Sequence, residues 1–459
     1  MALHRSSRWT RVLAIFALCF VLRLLVGAVI DAAVPVIKRA DLYSDIAENL
    51  TRGHGFVAEP GGEPLIWRAP LYPAFLAVIY RFTGVHNGTA IFMAQTALDS
   101  ITAVLIFWMG RRLFSESIGL FSAVAFALHP LSAYYSLRYM PESLFTLLLT
   151  ATIAAWIVAV QSRRPIVFGA VGALVAVTAL VKPVALWLCP FLAAYALYWL
   201  RNEPRRALTT VLVLTSACLL VLGPWAIRNY RVTGQLVAVA TSGGYAFWLG
   251  NQMASEGHED WEVDDATRAH LNELRNAVMA KPGVSDRHTG FASNSEAIRS
   301  DTQPINITVE EDQAFIRAAW REIASHPFDS ALLTVRKFFR FWFRIFLPDN
   351  RWAQSYIVVF QTLFLSFAVL GIMEARRQGV IVFPLLLPVA FLTLAHALTF
   401  ATIRYSIPTV PIITLLAVVG ASHVLRVAAP NTALALQGMI GFKVKSLIKT
   451  NHLGGNDLP

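Results

Sequence analysis

SLFTLLLTATIAAWIVAVQ, residues 143–161, carries no charged side chain over a length that crosses the ~30 Å hydrocarbon core of a bilayer as an α-helix. Glu142 stands immediately before it, and Arg163-Arg164 follow after Ser162. Basic residues at span ends are retained on the cytoplasmic side, so this span runs from outside to inside. Working outward, the same apolar signal recurs at Val12–Ile30, Thr89–Gly110, Ile118–Tyr135, Ile166–Val181, Val184–Leu200, Leu208–Ala226, Trp352–Met373, Val380–Thr399 and Tyr405–Leu425. With 56% hydrophobic and 15% charged residues, the chain reads as an all-α polytopic membrane protein, a bundle of about ten transmembrane helices.

Arg111-Arg112, Arg163-Arg164, Arg201 with Arg205-Arg206, Arg376-Arg377 and the tail from Arg426 through Lys449 fall on alternate connections, together with the basic N-terminus. Both termini are therefore expected in the cytoplasm, and the formal charge of +11 reflects topology, not nucleic-acid binding. The first apolar segment follows Arg5, Arg8 and Arg11 but is too long for a signal-peptide core, so it reads as a retained anchor. Cys19, Cys189 and Cys218 all lie inside apolar spans, which points to small core residues and away from a disulfide framework.

This alternation divides the chain into a transmembrane module (1–226) with a first outer loop (31–88), an extracytoplasmic region (227–351), further transmembrane helices (352–425) and a basic cytoplasmic tail (426–459). Region 227–351 holds 16 of the 28 acidic residues, as a water-facing module would. Within it, Thr308 and Glu311 have capping-box spacing ahead of Phe315, Ile316, Ala319, Trp320 and Ile323 at helical period. The aromatic and basic stretch 332–346 suits a helix in the outer interface, with Arg336, Lys337 and Arg340 on anionic headgroups.

Ionisable residues at membrane depth are costly and tend to mark function. Arg23 and Asp99 lie inside the first two spans and are expected to pair as a structural lock. Arg68, Glu142, Lys182, Arg228 and Arg404 all map to the outer ends of spans, where a cation bias is unexpected, and the four cations sit beside prolines and aromatics. Such cations can hold a phosphate at the lipid boundary. Asp41, Tyr43 and the turn Gly53-His54-Gly55-Phe56 add a polar island just after the first span.

Several stretches carry a resemblance. They are Asp41-x-Tyr43-x-x-Ile46-Ala47-x-x-Leu50 with Gly53-x-Gly55-Phe56, Arg68-x-Pro70-Leu71-Tyr72-Pro73, Pro141-Glu142-Ser143-Leu144-Phe145, Pro224-Trp225-x-x-Arg228-Asn229-Tyr230 with Ser242-Gly243-Gly244 and Leu249-Gly250-Asn251, and Arg404-Tyr405-x-x-Pro408-x-x-Pro411. In this order they resemble the C-type (GT-C) integral-membrane glycosyltransferases, in particular the bacterial branch similar to protein O-mannosyltransferases and the aminoarabinose transferase of lipid A. The resemblance extends from Asp41 to about Pro411.

It implies a sugar donor on polyprenyl phosphate, a hydroxyl acceptor on lipid, polysaccharide or protein, and transfer with inversion at the extracytoplasmic face of the bacterial inner membrane. It also implies an aspartate of the first outer loop as general base. In the family's pattern that acid stands further ahead of the tyrosine than Asp41 stands ahead of Tyr43, which leaves Asp45 as a competitor; Asp41 is preferred. Capping of a juxtamembrane helix is the structural alternative for Asp41. Glu142 matches the second acidic position, where it could orient the acceptor, cap its helix, or hold a divalent cation with Asp41. No other cofactor is implied, and no His or Cys cluster has metal-ligand spacing. Arg68 and Arg404, then Lys182 and Arg228, are expected on the donor phosphate, with Tyr43 and Tyr72 lining the substrate cavity. An O-antigen ligase or polymerase, or a lipid-linked sugar flippase, are the competing readings. A flippase would place its binding residues at the midplane of repeated, broken helices.

Overall fold

The computed structural model describes residues 2–33, 42–256, 265–279, 306–344 and 351–429. In chain order the helices are α1 (Ala2–Ala33), α2 (Tyr43–Thr51), α3 (Leu71–Thr83), α4 (Gly88–Leu113), α5 (Glu116–Ala127), α6 (Pro130–Ser136), α7 (Glu142–Ser162), α8 (Pro165–Ala179), α9 (Leu188–Trp199) and α10 (Pro204–Thr233). They continue with α11 (Gly243–Gly250), α12 (Asp265–Met279), α13 (Val309–Ser325), α14 (Pro327–Phe343), α15 (Arg351–Arg377), α16 (Phe383–Leu398) and α17 (Val410–Ala428). Short 3₁₀ turns at Pro183–Trp187 and Ile403–Thr409 precede α9 and α17.

Each of the ten expected spans coincides with a helix or helix pair, but their lengths differ. Among the described residues six helices are long and apolar enough to cross a membrane, and α5 with α6 makes a seventh if the pair, bent by 54°, is one span. The expected spans at α8, at 183–199 and at α16 are shorter apolar helices. Prolines account for part of this: Pro165, Pro183 and Pro384 stand in the opening turns of those segments, where a missing N–H is tolerated. Conversely α10 runs through Pro224 to Thr233, so Trp225, Arg228 and Tyr230 are helical, not part of a loop.

Helices cross closely where glycine removes a side chain. A Cβ on Gly371 of α15 would meet the Leu416 carbonyl oxygen of α17 at 1.8 Å, and one on Gly420 would meet the Phe367 carbonyl oxygen at 2.0 Å. In lipid, where burial against a neighbour gains little hydrophobic free energy, such backbone approach supplies the dispersion contact. The expected lock also forms: Arg23 Nε lies 3.4 Å from Asp99 Oδ2, both buried, while the guanidinium donates to the carbonyls of Phe126 and His129. All three cysteines are buried and free.

The connection between α2 and α3 meets the segments around 241–248 and 306–315. The Thr241 N–H donates to the Ile66 carbonyl (3.0 Å), the Ile66 N–H to Asn306 Oδ1 (3.2 Å), and Trp67 is buried with Tyr245, Trp248 and Phe315. The capping box on α13 is present, with Thr308 Oγ1 accepting from the Glu311 N–H and Glu311 Oε2 from the Thr308 N–H. Helix α14 is amphipathic as expected, but its basic residues divide. Arg336 is exposed, whereas Lys337 and Arg340 are buried, which corrects their assignment to headgroups. Lys337 falls in the stripe of Leu333 and Phe341, and its Nζ donates to the Gly250 carbonyl (2.9 Å), Asn251 Oδ1 (3.1 Å) and the Leu398 carbonyl (3.5 Å). The ammonium thus sits at the C-terminal, negative ends of α11 and α16. Burial pulls its pKa down to about 7, with Arg340 adding to the effect. Arg340 itself is held by Glu256.

Candidate active site

Glu142 is the first residue of α7, at the helix's positive end and almost fully buried. Its Oε1 accepts from Lys182 Nζ at 2.8 Å and lies 3.4 Å from Arg404 Nε. These partners come from two other connections between helices. Lys182 precedes Pro183, and the residue before proline is pushed to an extended conformation, here φ −139° and ψ 118°, which ends the α8 run. Arg404 lies in the 3₁₀ turn 403–409, tightened by Pro408. One carboxylate between two cations leaves the trio with a surplus positive charge.

Tyr405 is the plate under the two cations. Arg404 Cζ lies 4.7 Å and Lys182 Nζ 5.0 Å from the ring centroid, and His396 stacks on the ring at 4.1 Å with an interplanar angle of 15°. Arg404 Nη2 also donates to the Tyr405 hydroxyl at 2.6 Å. Cations over an aromatic face are held by the ring quadrupole without losing their charge to a second carboxylate. His396, which has no sequence neighbour to suggest a role, enters the site only through this stacking.

Arg68 lies in the connection between α2 and α3, close in space to the start of this group by its backbone. The Leu71 N–H donates to the Leu180 carbonyl at 2.9 Å, which docks the segment 68–71 two residues from Lys182. The Arg68 guanidinium lies over Trp67 (4.1 Å) and Tyr43 (5.1 Å), and Tyr43 meets Tyr72 edge-on at 5.3 Å. Tyr72 is wholly buried behind Tyr43 and donates to Gln95 Oε1 (3.1 Å), whose amide donates to the carbonyls of Ser136 and Arg138 (2.8 Å each). Burial holds the Tyr72 phenol well above its ordinary range, and the Glu142 carboxylate adds to this, so it remains a neutral donor.

Of the other expected site residues, Asp41 lies outside the described residues. Asp45 is half-buried in the first turn of α2, which begins at Tyr43. Two positions along a helix turn a side chain by about 200°, so Asp45 projects away from the face by which Tyr43 meets Tyr72. Arg228 is not brought to Glu142: its guanidinium donates to the Leu65 carbonyl (2.6 Å) and lies between Trp225 (4.8 Å) and Phe56 (5.6 Å). It fastens the base of the first loop to α10. Among the described residues no three His, Cys, Asp or Glu side chains converge; Glu142 is held by Lys182 and Arg404, and Asp41, the expected partner for a shared divalent ion, lies outside the described residues.

Residues 67–227, which include Arg68, Tyr72, Glu142 and Lys182, match the family described as dolichyl-phosphate-mannose-protein mannosyltransferase. Over these residues, about a third of the chain, the protein resembles that family. Among solved structures, this chain is similar to the archaeal oligosaccharyltransferase AglB from Archaeoglobus fulgidus, in complex with an inhibitory peptide and a dolichol-phosphate. The match has 12% identity and a TM-score of 0.55, over 95% of this chain and 53% of that one. The apo form of the Archaeoglobus fulgidus oligosaccharyltransferase gives 11% identity and the same TM-score over 93% and 52%. ArnT from Cupriavidus metallidurans bound to undecaprenyl phosphate gives 13% identity and a TM-score of 0.39 over 92% and 80%. The chain thus spans about half the length of the archaeal enzyme, with which it shares a fold. No curated protein sequence matches it.

Proposed function

We propose that this protein is a C-type glycosyltransferase that moves a sugar from a polyprenyl-phosphate donor to a hydroxyl on a lipid, polysaccharide or protein, with inversion, at the extracytoplasmic face of the bacterial inner membrane, its termini in the cytoplasm. The observation that carries the reading is the convergence of Lys182 and Arg404 on Glu142, with the backbone of segment 68–71 docked two residues from Lys182. A phosphodiester-like donor arriving from the lipid meets a cationic wall at the outer ends of spans. The dolichol-phosphate named with AglB is a ligand of the same chemical class.

The reaction then divides cleanly. The acceptor O–H gives its proton to an aspartate while its oxygen forms the bond to the anomeric carbon, and the carbon–oxygen bond to phosphate breaks with the electron pair leaving on the lipid phosphate. Lys182, Arg404 and Arg68 stabilise the charge that grows there. We assign the base to Asp41, the acid that the family resemblance favours, with Asp45 as its competitor. Glu142 holds the two cations in place, and the reaction needs no divalent ion in this scheme.

Purified protein with a polyprenyl-phosphate sugar tests this directly. Asp41→Asn should lower turnover by roughly a hundredfold or more with donor binding intact, while Asp45→Asn is milder. Arg68→Ala and Arg404→Ala should weaken a donor analogue by on the order of 1.5–3 kcal/mol each, the worth of a charge-assisted contact. Full activity of both aspartate variants, with unchanged donor affinity in both arginine variants, refutes the mechanism.

A further inference from the structure

His86 lies in the turn between α3 and α4 with φ 60°, a left-handed conformation that a side chain other than glycine adopts at a cost. Its ring is engaged on both edges. Nε2 lies 3.0 Å from Glu48 Oε2 on α2, and Nδ1 lies 3.4 Å from the hydroxyl of Tyr80 on α3. Glu48 is braced from its other oxygen by Arg52 at 2.7 Å, and the Tyr80 hydroxyl also donates to Ser44 Oγ on α2 at 3.4 Å. The His86 carbonyl accepts from the Tyr139 hydroxyl at 3.2 Å, and Tyr139 stands three residues before Glu142.

One residue therefore touches the helix that starts at Tyr43, the helix that carries Tyr72, and the segment that leads into α7. The Tyr72–Gln95 bond ties α3 to the same segment by a separate route. We propose that His86 is a positioning residue for sugar transfer, setting the distance between the first-loop helix, which follows Asp41, and the Glu142–Lys182–Arg404 cluster. The inference rests on the proposed transfer reaction for its purpose, but the clamp itself is a matter of geometry. The left-handed backbone is held by contacts on both sides, as expected where a strained residue is over-determined by its surroundings. Neither Lys182 nor Arg404 is attached to it, so the clamp governs the acceptor and base side of the reaction, not donor capture.

His86→Gly separates the ring from the backbone, since glycine adopts φ 60° without steric cost. Expected are a fall in kcat of about tenfold or more, a donor KM within about twofold of wild type, and faster amide hydrogen exchange across 43–51 with none across 403–409. His86→Gln, whose amide can bridge Glu48 and Tyr80, should recover part of kcat. Tyr80→Phe, the milder variant should His86→Gly not fold, should show the same split at smaller size. Wild-type kcat and wild-type exchange over 43–51 in these variants overturn the proposal, as does a parallel rise in donor KM with exchange quickened throughout the chain. The exchange measurement needs no turnover, so absence of donor-dependent transfer by the wild type refutes the proposed function and is distinguishable from failure of the clamp.

Discussion

Replacing Glu142 with Gln tests whether the carboxylate is what allows two cations to share one site. Lys182 Nζ and Arg404 Nε both lie against the same oxygen, at 2.8 and 3.4 Å, so they stand no more than about 6 Å apart. At an effective dielectric constant of ~20, two like charges at that separation repel by about 3 kcal/mol. Removing one partner of a buried ion pair costs about 3–5 kcal/mol by the same physics, because the remaining charges are left uncompensated. The glutamine keeps an acceptor for Lys182 but no charge, so the variant should lose about 3 kcal/mol of stability and melt earlier in detergent. Polyprenyl phosphate should then restore more stability to Glu142→Gln than to wild type, because the lipid anion supplies the missing counter-charge. The assay is a thermal-shift titration of both proteins with polyprenyl phosphate and with the uncharged polyprenol as control. Equal melting of the two proteins, with equal protection by the phosphate, refutes the idea that Glu142 balances a phosphate-binding pair.

Arg23→Leu should cost about 3–5 kcal/mol by leaving Asp99 buried and unpaired, and adding Asp99→Leu should recover much of it; additive losses in a double-mutant cycle would show that the pair does not lock α1 to α4. Burial raises the Asp312 pKa from 3.8 to about 6, against the N–H bonds from Gly244 and Tyr245. A raised folded pKa gives stability that is fully present below pH 3.8 and is lost as pH rises through about 6, by at most ~3 kcal/mol. Asp312→Asn should therefore flatten stability over that window, and a wild-type profile already flat there would contradict the desolvation. Cysteines at the exposed positions Glu63 and Gln313 should both react with an impermeant thiol reagent in cells with an opened outer barrier, and one at Arg201 should not; labelling of Arg201→Cys alone inverts the proposed topology.

Periodicity and hydropathy carry long range in a membrane chain, because a span must satisfy its own backbone and so declares itself in one continuous apolar run. The runs around 12–30, 143–161 and 405–425, the Arg23–Asp99 pair and the capping box at Thr308 were all legible on that basis, since each depends on neighbours in sequence or on a charge that has no place to go but a partner. The cations Arg68, Lys182 and Arg404 were legible as a bias of charge near span ends, but not as a site. Tertiary structure alone decided that Lys182 and Arg404 meet on Glu142, that His396 stacks on Tyr405, that Arg228 is spent on the Leu65 carbonyl, and that Lys337 is buried at two helix ends. In each case the partner is a carbonyl, a ring face or a carboxylate contributed by a distant connection, and a hydrogen-bond acceptor on the backbone has no signature in the residue that carries it.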